Sequence, residues 1–262
     1  MAMPAQHRPM AGFGVLVTRP AEQAEGLCRM IEEAGGEAVR LPLLEIVAQE
    51  PQGESAQWLR RLSDVDWVIF VSVNAVRHGW NWFEAGPKQG PRPKIAAIGQ
   101  ATAEALERRG VAVDLTPKQQ FNSEALLALA EFADVAGRRF LIVRGAGGRE
   151  MLAQTLRLRG AEVAYAEVYR RILPPIDVDG LIARWRAGGI RATVITSGEA
   201  LSNLALLLDG KGMDLLTQTP LIAISERLAK QARALGCRSV ATTAAASDEA
   251  IAESVISLGA SR

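Results

Sequence analysis

A chain of 262 residues, 48% hydrophobic and 23% charged, has enough apolar sequence to bury the core of one large domain or of two ordinary ones. Its 30 Lys and Arg against 29 Asp and Glu leave a net charge of +1, which excludes a global field drawing it to nucleic acid or an anionic membrane; any anionic ligand must be met by local charge. Two cysteines without ligand spacing, Cys28 and Cys237, and two histidines, His7 and His78, leave almost no material for a metal site or a Ser-His-Asp triad, so chemistry without metal or cofactor, or no chemistry, is expected.

The opening MAMPAQHRPMAG lacks the apolar stretch of a signal peptide, and no run reaches the roughly 18 to 20 apolar residues of a membrane span; a reducing, cytoplasmic setting is expected. In chain order, an apolar run at 13–18 predicts a strand, and the helical period over 21–34 ends at Gly35. Residues 38–47 (AVRLPLLEIV) read as one extended stretch, followed by Pro51. A strand is predicted at 67–71, then Trp80, Trp82 and Phe83 at helical spacing, expected in the core or between helices. Next come a strand at 95–98, a helix over 101–109 stopped by Gly110, and a strand at 140–143. The Gly-rich turn after it leads into a helix over 149–159, stopped by Gly160. A second long extended stretch, 162–172 (EVAYAEVYRRI), precedes Pro174 and Pro175. Strands at 192–195, 221–224 and 239–242 complete the series, with a helix over 226–235 ending at Gly236. Strands alternating with helices predict an α/β fold of parallel sheets covered on both faces.

The turn RGAGGRE, residues 144–150, has the outline of a phosphate loop, but Glu150 stands where a dinucleotide fingerprint needs its third glycine, and no GK[ST] run occurs. Internal repetition explains it better. LVTR at 16–19 and LIVR at 141–144 stand 125 residues apart, as do Gly35-Gly36-Glu37 and Gly160-Ala161-Glu162, and Phe70-Val71-Ser72 and Ile195-Thr196-Ser197. An offset of 126 aligns KIAAIG at 94–99 with PLIAIS at 220–225, and Gly110 with Gly236. The chain is therefore expected to form two similar lobes from a duplication. Lobe 1 is residues 1–40 plus 173–262, lobe 2 is 52–163, and 41–51 and 164–172 are connectors.

Ligands of parallel α/β sheets bind beyond the carboxyl ends of the strands, so the residues there are the candidates. They are Thr18 and Arg19; Ser72 and Asn74; Gly99, Gln100 and Thr102; Arg144, Gly145, Gly148 and Arg149; Thr196, Ser197 and Gly198; and Ser225. Both copies share a strand ending in arginine before a helix N-terminus, Arg19 and Arg144, which suits carboxylates or phosphates and equally suits bracing of each turn. The hydroxyls can cap helices, bind a ligand, or do both. Tyr169, in the second extended stretch, can pack, hydrogen-bond a ligand or act as a weak general acid; its neighbours Arg170 and Arg171 are solvated edge or balance an acidic ligand.

From Gly14 to about Leu258 the chain resembles the uroporphyrinogen-III synthase family. VTRP (17–20), Pro42, FVSVNAV (70–76), IGQATAEAL (98–106), RGAGGRE (144–150), VYRR (168–171) and TSGEAL (196–201) carry the resemblance. Two places differ: Val71 where the family often has Thr, and Ser225-Glu226-Arg227-Leu228 in place of a Gly-x-Thr-Thr type of turn. The resemblance implies two α/β lobes joined by a two-stranded connector with the active site in the cleft between them. It implies cyclisation of hydroxymethylbilane, with loss of water and inversion of the last ring through a spiro intermediate, to uroporphyrinogen III. It also implies no metal or organic cofactor, Tyr169 as the acid, and Ser72, Thr102 and Ser197 as ligand-contacting hydroxyls. The expected partner is a small polyanionic substrate, with transient hand-over from hydroxymethylbilane synthase; a monomer is expected, with no nucleic acid and no membrane. The rival readings are a two-lobed binding protein that closes on a small anion without chemistry, and a Rossmann-like transferase whose fingerprint is missing.

Overall fold

The computed structural model describes residues 10–84, 91–118 and 120–260; His7 lies outside them. The strands are β1 (Gly14–Val17), β2 (Glu37–Arg40), β3 (Glu45–Ala48), β4 (Trp67–Phe70), β5 (Lys94–Ala97), β6 (Arg139–Gly145), β7 (Glu162–Ile172), β8 (Ala192–Ile195), β9 (Leu221–Ala223) and β10 (Val240–Thr242). The helices are α1 (Ala21–Glu33), α2 (Glu54–Arg60), α3 (Val73–Glu84), α4 (Gln100–Glu107), α5 (Ser123–Leu127), α6 (Met151–Leu158), α7 (Val178–Arg186), α8 (Gly198–Leu208), α9 (Met213–Gln218), α10 (Glu226–Ala234) and α11 (Asp248–Ala260). Among the described residues no helix is long and apolar enough to cross a membrane.

The chain divides into two compact units, Met1–Glu45 with Ile172–Arg262, and Ile46–Arg171. The first holds a parallel sheet in the order β10-β9-β8-β1-β2. Its inner strands β1, β8 and β9 are buried along their length because both faces are covered, whereas the edge strand β2 exposes Glu37 and Arg40. Val15 and Val17 pack with Leu27, Ile31 and Val255 of α1 and α11, while Leu16 packs with Leu204 and Leu228 of α8 and α10. The second unit holds the order β3-β7-β6-β4-β5, in which β7, β6, β4 and β5 are parallel. Val68 and Phe70 face Val76 and Leu106 of α3 and α4, and Ile69 faces Leu126 and Leu152 of α5 and α6.

The duplication extends to strand register. Leu16 pairs with Thr193 and Val39 in the first sheet, and the residues 125 positions away, Leu141, Val68 and Ala164, pair in the same way in the second. The pairing of Ile222 with Ala241 has its image 126 positions earlier in an isolated parallel bridge between Ala96 and Leu115. Gly35, Gly110, Gly160 and Gly236, the predicted helix stops, all have positive φ, between +76° and +94°, where only glycine is free of Cβ strain.

Two expectations change. Residues 38–47 are two short strands, β2 and β3, in different sheets: Pro42 has no N–H to donate, and Leu41 and Leu43 on either side donate to Val17 O and Thr18 O. Trp82 is not core: it is 37% exposed, whereas Trp80 and Phe83 stack at 6.2 Å and Phe83 packs on Phe70.

Candidate functional site

In the second unit the carboxyl ends of β4, β6 and β7 open on a pocket of about 380 Å³. Of the residues predicted for the strand ends, Ser72, Arg144, Gly145, Gly148, Arg149 and Tyr169 line it, together with Val71, Ser123, Tyr165 and Arg171. Asn74, Gly99, Gln100 and Thr102 do not line it. Thr102 is buried on α4, Gln100 donates to Glu104 Oε1 at 3.2 Å, and Gly99 lies under the exposed ring of Phe121.

Tyr169 is only 3% exposed, and its Oη stands 3.2 Å from Ser72 Oγ, which also accepts the Ala75 N–H at 3.0 Å. Ser72 therefore caps α3 and holds the phenol at once. A β-bulge aims the ring there. Arg144 pairs with Glu167 but Gly145 pairs with Tyr169, so Val168 is an extra residue and the alternation of β7 breaks. Tyr165 packs on the α6 side of the sheet, and both Val168 and Tyr169 pack on the α3 side.

Two glycines of the turn make room for side chains, and Gly147 answers to its backbone angle. A Cβ on Gly145 would stand 2.5 Å from Tyr169 Cζ, so the phenol ring occupies that space. Gly147 has φ +71°. A Cβ on Gly148 would stand 3.2 Å from Arg144 Nε. Gly145 and Gly148 thus leave room for a tyrosine and an arginine.

Arg144 was expected to meet a ligand or to brace its turn, and bracing is what the geometry shows. Its side chain is 5% exposed; Nε donates to Gly145 O at 3.2 Å, Nη2 to Gly148 O at 2.9 Å, and Nη1 to Glu150 Oε1 at 3.0 Å and Arg149 O at 3.4 Å. Its guanidinium lies 4.1 Å from the ring centroid of Tyr165, whose Oη donates to Glu150 Oε2 at 2.6 Å. Burial, and then the Glu150 carboxylate, push the Tyr165 phenol up to about 12, while the hydrogen bond from Tyr165, helped by Arg144, holds the Glu150 carboxyl below its ordinary value. Tyr165 was missed in the sequence; its only signal was its place in the Tyr-Ala-Glu-Val-Tyr run of β7.

In the first unit Thr18 is fully buried, and its hydroxyl donates to Val194 O at 2.8 Å, tying β1 to β8. Arg19 forms an ion pair with Asp248 at the start of α11. Ser197 and Ser225 cap α8 and α10, accepting the N–H groups of Ala200 and Leu228 at 3.0 and 3.3 Å. Thr196 is half-buried at the end of β8, and Gly198, the first residue of α8, lies against Gln231. Among the described residues no three His, Cys, Asp or Glu side chains converge as a metal site.

A family model described as Uroporphyrinogen-III synthase HemD matches residues 25–253. The chain is 35% identical over 241 residues to the uroporphyrinogen-III synthase of Escherichia coli K12 and 36% identical over 248 residues to that of Salmonella typhimurium LT2; each match covers 91% of this chain and 98% of the relative. In fold it is similar to the crystal structure of a mutant uroporphyrinogen III synthase from the extremely thermophilic bacterium Thermus thermophilus, with a TM-score of 0.62 at 18% identity over 94% of this chain and 98% of that one. It is also similar to uroporphyrinogen-III synthetase from Helicobacter pylori 26695, with a TM-score of 0.54 at 15% identity over 94% and 99%. The extent of these matches, on a duplicated α/β chain with Tyr169 and Ser72 paired at the strand ends, places the chain in the uroporphyrinogen-III synthase family.

Proposed function

We propose that this chain is itself a uroporphyrinogen-III synthase, a lyase of tetrapyrrole biosynthesis that closes linear hydroxymethylbilane to uroporphyrinogen III, with Tyr169 as proton donor. The observation that carries the reading is the Tyr169 phenol, fixed by Ser72 in the pocket of the second unit. Tyr169 protonates the leaving hydroxyl, the C–O bond breaks, and water departs, leaving a protonated azafulvene. The substituted carbon of the last pyrrole attacks it to give the spiro intermediate, whose reopening and reclosure at the free position invert that ring. The proton lost from that position restores the phenol. The N-terminus of α3, whose Ala75 N–H already bonds Ser72 Oγ, favours the transient negative charge on the tyrosyl oxygen. The remaining barrier is geometric, because unassisted closure proceeds without inversion and the protein must hold the chain folded for the other attack.

On this reading the protein works in the cytoplasm as a monomer, without metal or organic cofactor, and takes its substrate by transient hand-over from hydroxymethylbilane synthase. In the second unit the Ser72 hydroxyl and the 145–149 turn contact the substrate. The test is substrate disappearance. Freshly generated hydroxymethylbilane should be consumed faster with the protein than by spontaneous closure, and Tyr169→Phe should slow turnover more than about tenfold. Saturable binding without acceleration would favour the binding-protein reading instead.

A further inference from the structure

Three arginines line the pocket of the second unit, in two different states. Arg144 is buried, and three of its bonds go to carbonyls of the turn that follows it, those of Gly145, Gly148 and Arg149. With those carbonyls drawn to the guanidinium, the N–H groups of Gly147 and Arg149 make no hydrogen bond to protein among the described residues, although both residues line the pocket, while Gly148 closes the turn. Backbone N–H groups left free beside a cavity in this way can receive an anion. Arg149, after the turn, and Arg171, near the end of β7, have no ion-pair or side-chain hydrogen-bond partner among the described residues. No Asp or Glu lines this pocket, whereas the neighbouring one of about 440 Å³ is lined by Glu54 and Glu167 as well as Arg157. Only the first has the composition for an anion. A volume of about 380 Å³ lies near the lower end for small-molecule sites and suits one substituted ring, not a linear tetrapyrrole.

We propose that Arg149 and Arg171 receive the two carboxylates of one pyrrole ring of the substrate, and that Arg144 is a positioning residue that holds the 145–149 turn open to it. This deepens the synthase reading and rests on it for the identity of the ring. Two guanidinium groups on one ring match its acetate and propionate arms, since each binds a carboxylate through paired N–H donors. Arg144 cannot turn to the ligand without releasing the three carbonyls it holds, so its effect is indirect.

Two measurements test this on the full chain. In the coupled assay, Arg149→Gln and Arg171→Gln should each raise KM about tenfold or more, as expected for loss of a charge-assisted hydrogen bond, with kcat changed less than about threefold. Arg170→Gln, on the exposed neighbour outside the pocket, should change neither. Arg144→Lys should raise KM as strongly, because Lys keeps the charge but not the fork that gathers three carbonyls; a fold check by thermal melting accompanies it. The second measurement is calorimetric titration with porphobilinogen, a single pyrrole carrying one acetate and one propionate arm. The wild type should bind it in a salt-sensitive way, and the Arg149→Gln/Arg171→Gln double variant should not. Wild-type KM in both single variants, with isomer III still formed, would overturn the proposal alone. Salt-sensitive porphobilinogen binding that needs both arginines in a protein forming no isomer III would keep the pocket assignment and overturn the synthase reading. Wild-type KM in Arg144→Lys would remove the positioning role.

Discussion

Gly145→Ala is the sharpest probe of the way Tyr169 is held. Gly145 is not among the glycines with positive φ, so alanine costs nothing through backbone conformation and acts by sterics alone. The new methyl would stand 2.5 Å from Tyr169 Cζ and 2.9 Å from Cδ2, against an ordinary carbon contact of about 3.5 to 4.0 Å, so the ring must move by about 1 Å. Tyr169 is packed in the core with Val143 and Val168, and overpacking of this kind costs about 1–3 kcal/mol. The movement also draws Oη away from Ser72 Oγ, removing a hydrogen bond worth about 1 kcal/mol. A loss of about 2–4 kcal/mol follows, read as a fall of about 4–16 °C in the melting midpoint, with turnover lowered alongside. Tyr169→Ala alone should cost about 3–5 kcal/mol, but in the Gly145→Ala background the vacated ring space accepts the methyl, so the double variant should cost about 2 kcal/mol less than the two singles combined. Strict additivity, or wild-type melting and turnover in Gly145→Ala, would refute this placement of the ring.

The chain has two tyrosines, so a Tyr169→Phe variant leaves Tyr165 as the sole phenol, and its tyrosinate absorbance should rise near pH 12 instead of near 10. Because the folded chain keeps that proton to about 12 while the unfolded chain releases it near 10, the contribution to stability is full below pH 10 and is lost as pH rises toward 12. Adding Glu150→Gln should bring the step down, and a step at 10 in folded protein would contradict the Tyr165–Glu150 contact. Glu150 itself runs the other way: its carboxyl is held below its ordinary value, so its contribution is present above that value and fades on acidification, and Glu150→Gln should flatten the acid limb of a stability profile. Asp248→Asn should cost about 1–3 kcal/mol in denaturant unfolding, because it leaves Arg19, whose side chain is 12% exposed, without its ion-pair partner; Arg19→Gln/Asp248→Asn should recover part of that loss.

The repeat was the most legible feature of the sequence because strand register is copied along with the residues that set it. Leu16 and Leu141 hold equivalent places, and even the lone Ala96–Leu115 bridge follows from the offset that aligns β5 with β9. The runs WVIF and ATVI read as buried strands because parallel strands covered on both faces carry no polar alternation. Less was legible where a long-range contact decides. Whether Arg19 braces or binds depends on Asp248, 229 residues away, and Arg144 depends on turn carbonyls whose direction no spacing rule states. The glycines of RGAGG resemble a phosphate loop because sequence records that a side chain is missing, not which neighbour needs the room. Period two along β7 places Tyr165 and Tyr169 on one face, and only the bulge at Val168 separates them. Trp82 shares helical spacing with Trp80 and Phe83, yet it points outward, a distinction that spacing over a single turn does not resolve.

The most direct measurement is the isomer composition of the product. Porphobilinogen is converted by a hydroxymethylbilane-forming deaminase, with and without this protein, and the macrocycles are oxidised and separated. The account predicts a shift from uroporphyrin isomer I to isomer III when the protein is present, and a return toward isomer I with Tyr169→Phe. Isomer I alone in the presence of folded wild-type protein would contradict it.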